Sequence, residues 1–221
     1  LKLYGPSKLS YDQYYKYTKK FNLNLDINYW YELGYLAYNS KDYDLAIKYF
    51  ENYLYKEKDL SLDYIEDSYT RLADSYFAVS KYLMALENYN KVISLSKKDL
   101  SYVLFQKALS YGFLDKYESK INILSDLISS AQNNLMVEKS LFELAKTYTY
   151  LLNFKDAIES YDKLLKNYPG GLYTSRSFLN KGLILFNNDK LIEARSILEL
   201  TVKNYLGDPV AFQALTTLKE R

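Results

Sequence analysis

Small residues recur along the chain in a fixed relation to one another. Gly34 is followed twelve positions later by Ala46, Ala73 by Ala85, Ala145 by Ala157 and Gly182 by Ala194. A fifth series starts at Ala108, but the position twelve further on is Lys120. Large apolar residues keep step with the second small residue. Tyr43, Tyr82, Tyr117, Phe154 and Leu191 stand three before it, and Phe50, Tyr89, Leu124, Tyr161 and Leu198 four after it. Seven and eight after it come Tyr53 and Leu54, Val92 and Ile93, Leu127 and Ile128, Leu164 and Leu165, Thr201 and Val202. Steps of three, four and seven lie on one face of an α-helix.

The pattern predicts antiparallel helix pairs. The first helix carries a small residue where the second crosses it, and the second carries its own small residue at the point of closest approach. A large side chain at either place pushes the axes beyond the usual spacing of about 8–10 Å. The apolar stripe of one pair stays uncovered until the next pair stacks on it, so such units are stable only in series. Five pairs are expected, over residues 27–60, 66–99, 101–134, 138–171 and 175–207.

Trp30, Tyr31, Glu32, Leu33, Gly34, Tyr35, Leu36 and Ala37, followed by Tyr43, Ala46, Phe50 and Tyr53, resemble the tetratricopeptide repeat. The fourth unit is similar through Leu141, Leu144, Ala145, Tyr148, Phe154, Ala157, Tyr161, Leu164 and Pro169. The resemblance covers nearly the whole chain and implies an all-α fold, a right-handed α-solenoid. The first small residues are spaced 39, 35, 37 and 37 apart, against a family norm of about 34, which places the extra residues in the links. Two links, Lys166 to Tyr173 and Lys203 to Pro209, resemble those of a bacterial envelope subgroup that includes the Tol–Pal-associated periplasmic proteins and the BamD-like outer-membrane assembly lipoproteins. Lys120 departs from the family pattern. Either its stem carries the charge out to solvent, or the helix shifts so that Ser119 takes the tight position.

At the start, Ser10, Tyr14, Tyr17, Phe21 and Asn22 align with the second helix of a preceding unit. Residues 9–22 are therefore expected as a half repeat or a lone N-terminal helix. At the other end, Asp208 and Pro209 read as an N-cap and first helical position, so residues 209–219 are expected as a capping helix.

In arrays of this family the first helices line a concave face. The positions pointing there lie six and three before the small residue, and one, four and five after it. The resemblance thus implies an aromatic groove with Tyr31, Tyr35, Tyr38, Phe77, Tyr102, Phe105, Phe113, Phe142, Tyr150 and Phe186 as partner contacts. Lys146 and Arg176 are expected to meet acidic partner groups, and Asp67 and Asp74 a basic one. The alternatives are that these aromatic residues pack against one another, that the capping helix fills the groove, and that the charges are solvated. The groove does not reproduce the Lys/Asn/Arg clamp by which some members of the family hold a peptide's terminal carboxylate.

Composition narrows the chemistry. With no His and no Cys, nucleophilic triads, ordinary zinc sites and disulfides are excluded. No catalytic site, metal site or cofactor is expected. The carboxylates Asp63, Glu66 and Asp67 sit at a helix start, where acidic residues suit the helix dipole. Asp42 and Asp156 read likewise, and Asn187, Asn188 and Asp189 form a turn too short for a calcium loop. A net charge of +2 gives no case for nucleic acid, and no run of about 18 apolar residues is present to span a bilayer. The 27 Tyr have two readings, codon bias or selection as amphipathic contacts.

The reading is a non-catalytic scaffold or adaptor that holds a partner segment in its groove, set in a bacterial cell envelope or periplasm. The alternatives are a cytoplasmic regulator sensing a peptide or small ligand, an accessory domain of a larger enzyme, and self-association through the N-terminal half repeat, including Tyr14 and Tyr17.

Overall fold

The computed structural model describes residues 28–55, 61–130 and 134–219, together with Gln13, Lys16, Lys19 and Lys20. Those four are helical and exposed; Ser10, Tyr14, Tyr17, Phe21 and Asn22, which carry the expected half repeat, lie outside the described residues. The helices are α1 (Tyr29–Asn39), α2 (Tyr43–Leu54), α3 (Leu62–Ala78), α4 (Tyr82–Leu95), α5 (Ser101–Phe113), α6 (Tyr117–Ser130), α7 (Asn134–Tyr150), α8 (Phe154–Asn167), α9 (Thr174–Asn187), α10 (Leu191–Asn204) and α11 (Pro209–Lys219). No strand occurs among the described residues. The fold is an all-α helical-repeat solenoid.

The chain forms two compact units, Leu1–Lys116 and Tyr117–Arg221. The boundary falls in the turn between α5 and α6, so the expected third unit, 101–134, is shared between them. This is also the series whose second small position holds Lys120. In the first unit α1 to α5 pack in sequence, each on the next; in the second, α6 to α11 do the same, and α11 also touches α9.

The small residues occupy equivalent places. Ala46, Ala73, Ala85, Ala108, Ala145, Ala157 and Ala194 are all fully buried. A Cβ built on Gly34 lies 2.7 Å from the Phe50 ring, and one on Gly182 lies 2.6 Å from Leu198. These glycines let α1 and α2, and α9 and α10, approach until the large residue of the second helix covers the backbone of the first. Phe50, Tyr89, Leu124, Tyr161 and Leu198, four after the second small position, are all buried to within 1% of complete.

The turn inside each pair is also in phase. Lys41, Ser80, Asp115, Leu152 and Asp189, each seven residues after the first small position, have φ between 57° and 61°. The next amide then reaches back five residues: Asp42 to the Ala37 carbonyl at 2.9 Å, Lys81 to Tyr76 at 2.8 Å, Lys116 to Tyr111 at 2.9 Å, Asn153 to Tyr148 at 2.9 Å and Lys190 to Leu185 at 3.0 Å. This closes the helix end by satisfying a carbonyl that has no partner within the helix. Leu is poorly suited to this left-handed backbone, and Leu152 is 72% exposed, so its side chain contributes little packing. The strain of about 1–2 kcal/mol exceeds the extra chain entropy of glycine. Leu152→Gly is therefore expected to raise stability by about 0.5–1 kcal/mol, read as a higher melting temperature; an unchanged or lower one contradicts the strain argument.

The longer links have their own fastenings. After α8, the Glu138 side chain, buried on α7, accepts the Tyr173 amide at 2.7 Å. It lies where a Cβ on Gly171 would stand. The Tyr-Pro-Gly-Gly link is thus shaped around a buried carboxylate at the start of α9. At α11, the Asp208 carboxylate accepts the Val210 amide at 2.8 Å, with Pro209 as the first helical residue.

Candidate partner-binding surfaces

In the first unit, Tyr31, Tyr35 and Tyr38 follow one face of α1 at steps of four and three, and each is half-buried. Their hydroxyls are committed within the fold. Tyr31 donates to Asp67 at 2.9 Å, Tyr35 also donates to Asp67, and Tyr38 donates to Asp74 at 3.2 Å. Asp74 is 7% exposed and accepts two further hydroxyls, from Tyr89 at 2.8 Å and Tyr102 at 2.9 Å. Arg71 lies between the two carboxylates, 3.5 Å from Asp67 and 3.2 Å from Asp74. Its guanidinium carbon stands 5.9 Å from the centre of the Tyr35 ring and 5.6 Å from that of Tyr38, within cation–π range.

Burial pushes the Asp74 carboxyl above the usual carboxylate range, and the hydrogen bonds from Tyr89 and Tyr102, the Arg71 charge and the Tyr38 bond oppose it. Burial and the neighbouring carboxylates raise Tyr31, Tyr35, Tyr38, Tyr89 and Tyr102 above ordinary phenols, so all five remain donors at neutral pH. Asp67 and Asp74 were expected to meet a basic partner group; their oxygens are instead occupied by tyrosines and Arg71. The α1 tyrosines retain only parts of their rings for outside contact.

Further along the same unit, Phe77, Tyr82 and Phe113 form a cluster. Tyr82 and Phe113 stack with centroids 4.7 Å apart and planes 5° from parallel. Phe77 meets both edge-on at 5.5 Å. The outer ring, Phe113, is 60% exposed. Phe105 is half-buried, and Tyr102 is 37% exposed with its hydroxyl turned to Asp74.

In the second unit the expected contacts separate. Tyr150 is 68% exposed, its ring 5.0 Å from Tyr117. Phe142 is 6% exposed, stacked on Tyr173 at 4.7 Å and edge-on to Tyr161 at 6.1 Å. That corrects its assignment as a partner contact, because the covered ring has no face to offer. Lys146 bonds Glu143 at 2.6 Å and sits 5.7 Å from the Phe142 ring centre. Its charge is therefore answered within the fold, although the side chain is half exposed. Phe186 is half-buried and Arg176 exposed.

Lys120 takes a course between the two expected. It keeps the tight position, 9% exposed, and its ammonium lies 3.4 Å from the second oxygen of Glu143. Burial depresses its pKa below the usual lysine value, with Glu143 pulling the other way.

Two residues that matter here were missed. Arg71 lies off the groove positions, yet its spacing of four from Asp67 and three from Asp74 was legible as a pair of same-face contacts. Tyr89 was read as core alone; nothing in its spacing announced that its hydroxyl meets a buried carboxylate. Asp63 and Glu66, read as helix-start acids, both pair with Lys98, at 2.5 and 3.3 Å. Among the described residues no three His, Cys, Asp or Glu cluster as metal ligands, and no helix is long and apolar enough to cross a membrane.

Stacked helix hairpins with in-phase tight contacts and surface aromatics define the class of α-helical repeat proteins that serve as interaction scaffolds. Tetratricopeptide repeat models match residues 27–55, 66–99 and 139–171, so these three segments are tetratricopeptide repeats. Solved structures share the fold at low identity. MamA from Desulfovibrio magneticus RS-1, residues 41 to the end, is 12% identical with a TM-score of 0.66, covering 80% of this chain and 93% of its own. YrrB, described as a TPR protein with an unusual peptide-binding site, is 12% identical with a TM-score of 0.62, covering 94% and 98%. The C-terminal part of a TPR repeat-containing protein from Cytophaga hutchinsonii is 17% identical with a TM-score of 0.67, covering 88% and 72%. No curated protein matches the sequence.

Proposed function

We propose that the protein is a non-catalytic scaffold that holds a segment of a partner protein against the aromatic face of its first helices. Its units on this reading are 27–60, 66–99, 101–134, 138–171 and 175–207, closed by 209–219. The observation that carries the reading is one uncovered ring on a first helix of each unit, Phe113 at 60% exposure in the first and Tyr150 at 68% in the second. Large aromatic faces left in water are the usual anchors of protein interfaces. Phe77 and Tyr82 brace Phe113, and Tyr117 lies against Tyr150, so each anchor is held before the partner arrives, which lowers the entropy cost of binding. The links at Lys166–Tyr173 and Lys203–Pro209 support a bacterial cell-envelope setting.

The test is a quantitative pull-down with the intact chain and a Phe113→Ala/Tyr150→Ala variant. Both side chains are exposed, so folding is expected to survive, which circular dichroism checks. Recovery of the principal bound protein is expected to fall about tenfold or more, as for the loss of interface hot spots. Equal recovery of the same proteins by both forms removes the aromatic face as the binding surface.

A further inference from the structure

Between α9 and α11 lies a cavity of about 600 Å³, lined on its apolar side by Leu172, Leu179, Pro209 and Val210. The polar side chains that share it have different commitments. The Asn180 amide donates to the Tyr161 hydroxyl at 3.1 Å. The Asp208 carboxylate caps α11 through the Val210 amide at 2.8 Å. Arg176 and the side-chain amide of Gln213 also line the cavity, and neither is hydrogen-bonded or ion-paired among the described residues. The other basic groups of this unit with described partners, Lys120, Lys146, Lys163, Lys181 and Arg195, are held by carboxylates.

We propose that this cavity receives an acidic–apolar stretch of a partner polypeptide, one carboxylate side chain against Arg176 and a neighbouring aliphatic side chain on Leu172 and Pro209. The inference rests on the scaffold reading and specifies the partner's chemistry at the C-terminal end of the array. A planar guanidinium with no internal partner matches a carboxylate in two parallel bonds. The free carboxamide of Gln213 offers a donor and an acceptor together, the complement of a peptide group. Leu172 is 68% exposed and Pro209 exposed, and the buried Leu179 and Val210 beneath fix the floor, so the apolar side takes an aliphatic side chain without rearrangement. Asp208 is the opposing charge. Its oxygen is engaged at the N-terminal end of a helix, where the dipole favours it, but it still weakens an incoming carboxylate.

The experiment uses the whole chain and two labelled short peptides, one alternating Asp with Leu and the other Lys with Leu. Fluorescence anisotropy gives the affinities, and side-chain amide signals in ¹⁵N NMR spectra give the location. The Asp–Leu peptide is expected to bind and to move the Asn180 and Gln213 signals, while the Lys–Leu peptide binds at least about tenfold more weakly. Arg176→Gln is expected to weaken the Asp–Leu peptide about tenfold, the scale of one charged hydrogen-bonded contact. Asp208→Asn, which keeps the cap, strengthens it about threefold by removing a like charge. Equal binding of the two peptides, an Arg176→Gln variant of unchanged affinity, or unmoved Asn180 and Gln213 signals overturns the site. Any of these leaves the scaffold proposal to stand or fall on the Phe113/Tyr150 comparison, which does not involve the cavity.

Discussion

Replacing Gly34 with Leu is expected to destabilise the protein by about 3 kcal/mol. Helix propensity alone gives the opposite sign, because Leu is a better helix former than Gly by about 0.8 kcal/mol. The tertiary contact decides the outcome. The first carbon of any side chain at 34 falls 2.7–2.9 Å from three atoms of the Phe50 ring, and Phe50 is fully buried with nowhere to rotate. Either α1 and α2 separate, uncovering the stripe beneath, or the ring is driven off its rotamer. A double-mutant cycle isolates the cause. Phe50→Ala alone is expected to cost about 3–5 kcal/mol as a cavity, but combined with Gly34→Leu the new side chain enters that cavity. The pair should then be less damaging than the sum by about 2 kcal/mol. Urea unfolding of the four proteins gives the coupling; strict additivity refutes the contact as the reason for the glycine.

The second large effect is at Asp74. Asp74→Ala is expected to cost about 3–5 kcal/mol, because it strands the buried Tyr89 hydroxyl and removes the acceptor shared by Tyr38, Tyr102 and Arg71. Asp74→Asn keeps an acceptor oxygen and is expected to cost less. The two also differ in pH dependence. The folded carboxyl is raised above its unfolded value by burial, so the folded state takes up the proton first as pH falls. The stabilisation from this uptake is complete below the unfolded value and is lost as pH rises through the folded one. Wild type should therefore gain on Asp74→Asn between pH 7 and pH 4. Urea midpoints that move the opposite way mean that the tyrosines and Arg71, rather than desolvation, govern this carboxylate.

Both effects arise where one helix meets the next, and they differ in how far the sequence announced them. Gly34 was legible because its role is periodic: a small residue twelve before another small residue, with Phe50 four further on, leaves few arrangements other than a close helix crossing. The Asp74 network was not. Asp74 occupied a position assigned to the solvent side of the groove, and the three tyrosines that bond it come from α1, α4 and α5. No spacing within one helix encodes their convergence.

The groove residues show the same division. Their identity and phase came from the repeat, and Phe113 and Tyr150 do present open rings. Phe142, at another of the groove positions, is covered by Tyr173 because the link after α8 is pinned by Glu138 to the start of α9. Lys120 was legible as an exception, but its accommodation depended on Glu143 of α7, which no local pattern places beside it.

The sequence by itself determined the helical hairpins, their phase and the tight contacts between them, because those depend on side-chain size at fixed intervals along one chain. Only the tertiary structure decided which tyrosines remain open to a partner, which carboxylates are already satisfied and which arginine is left free. Those outcomes depend on pairs of groups brought together from different helices, whose meeting is set by link geometry and by the competition of burial against hydrogen bonding.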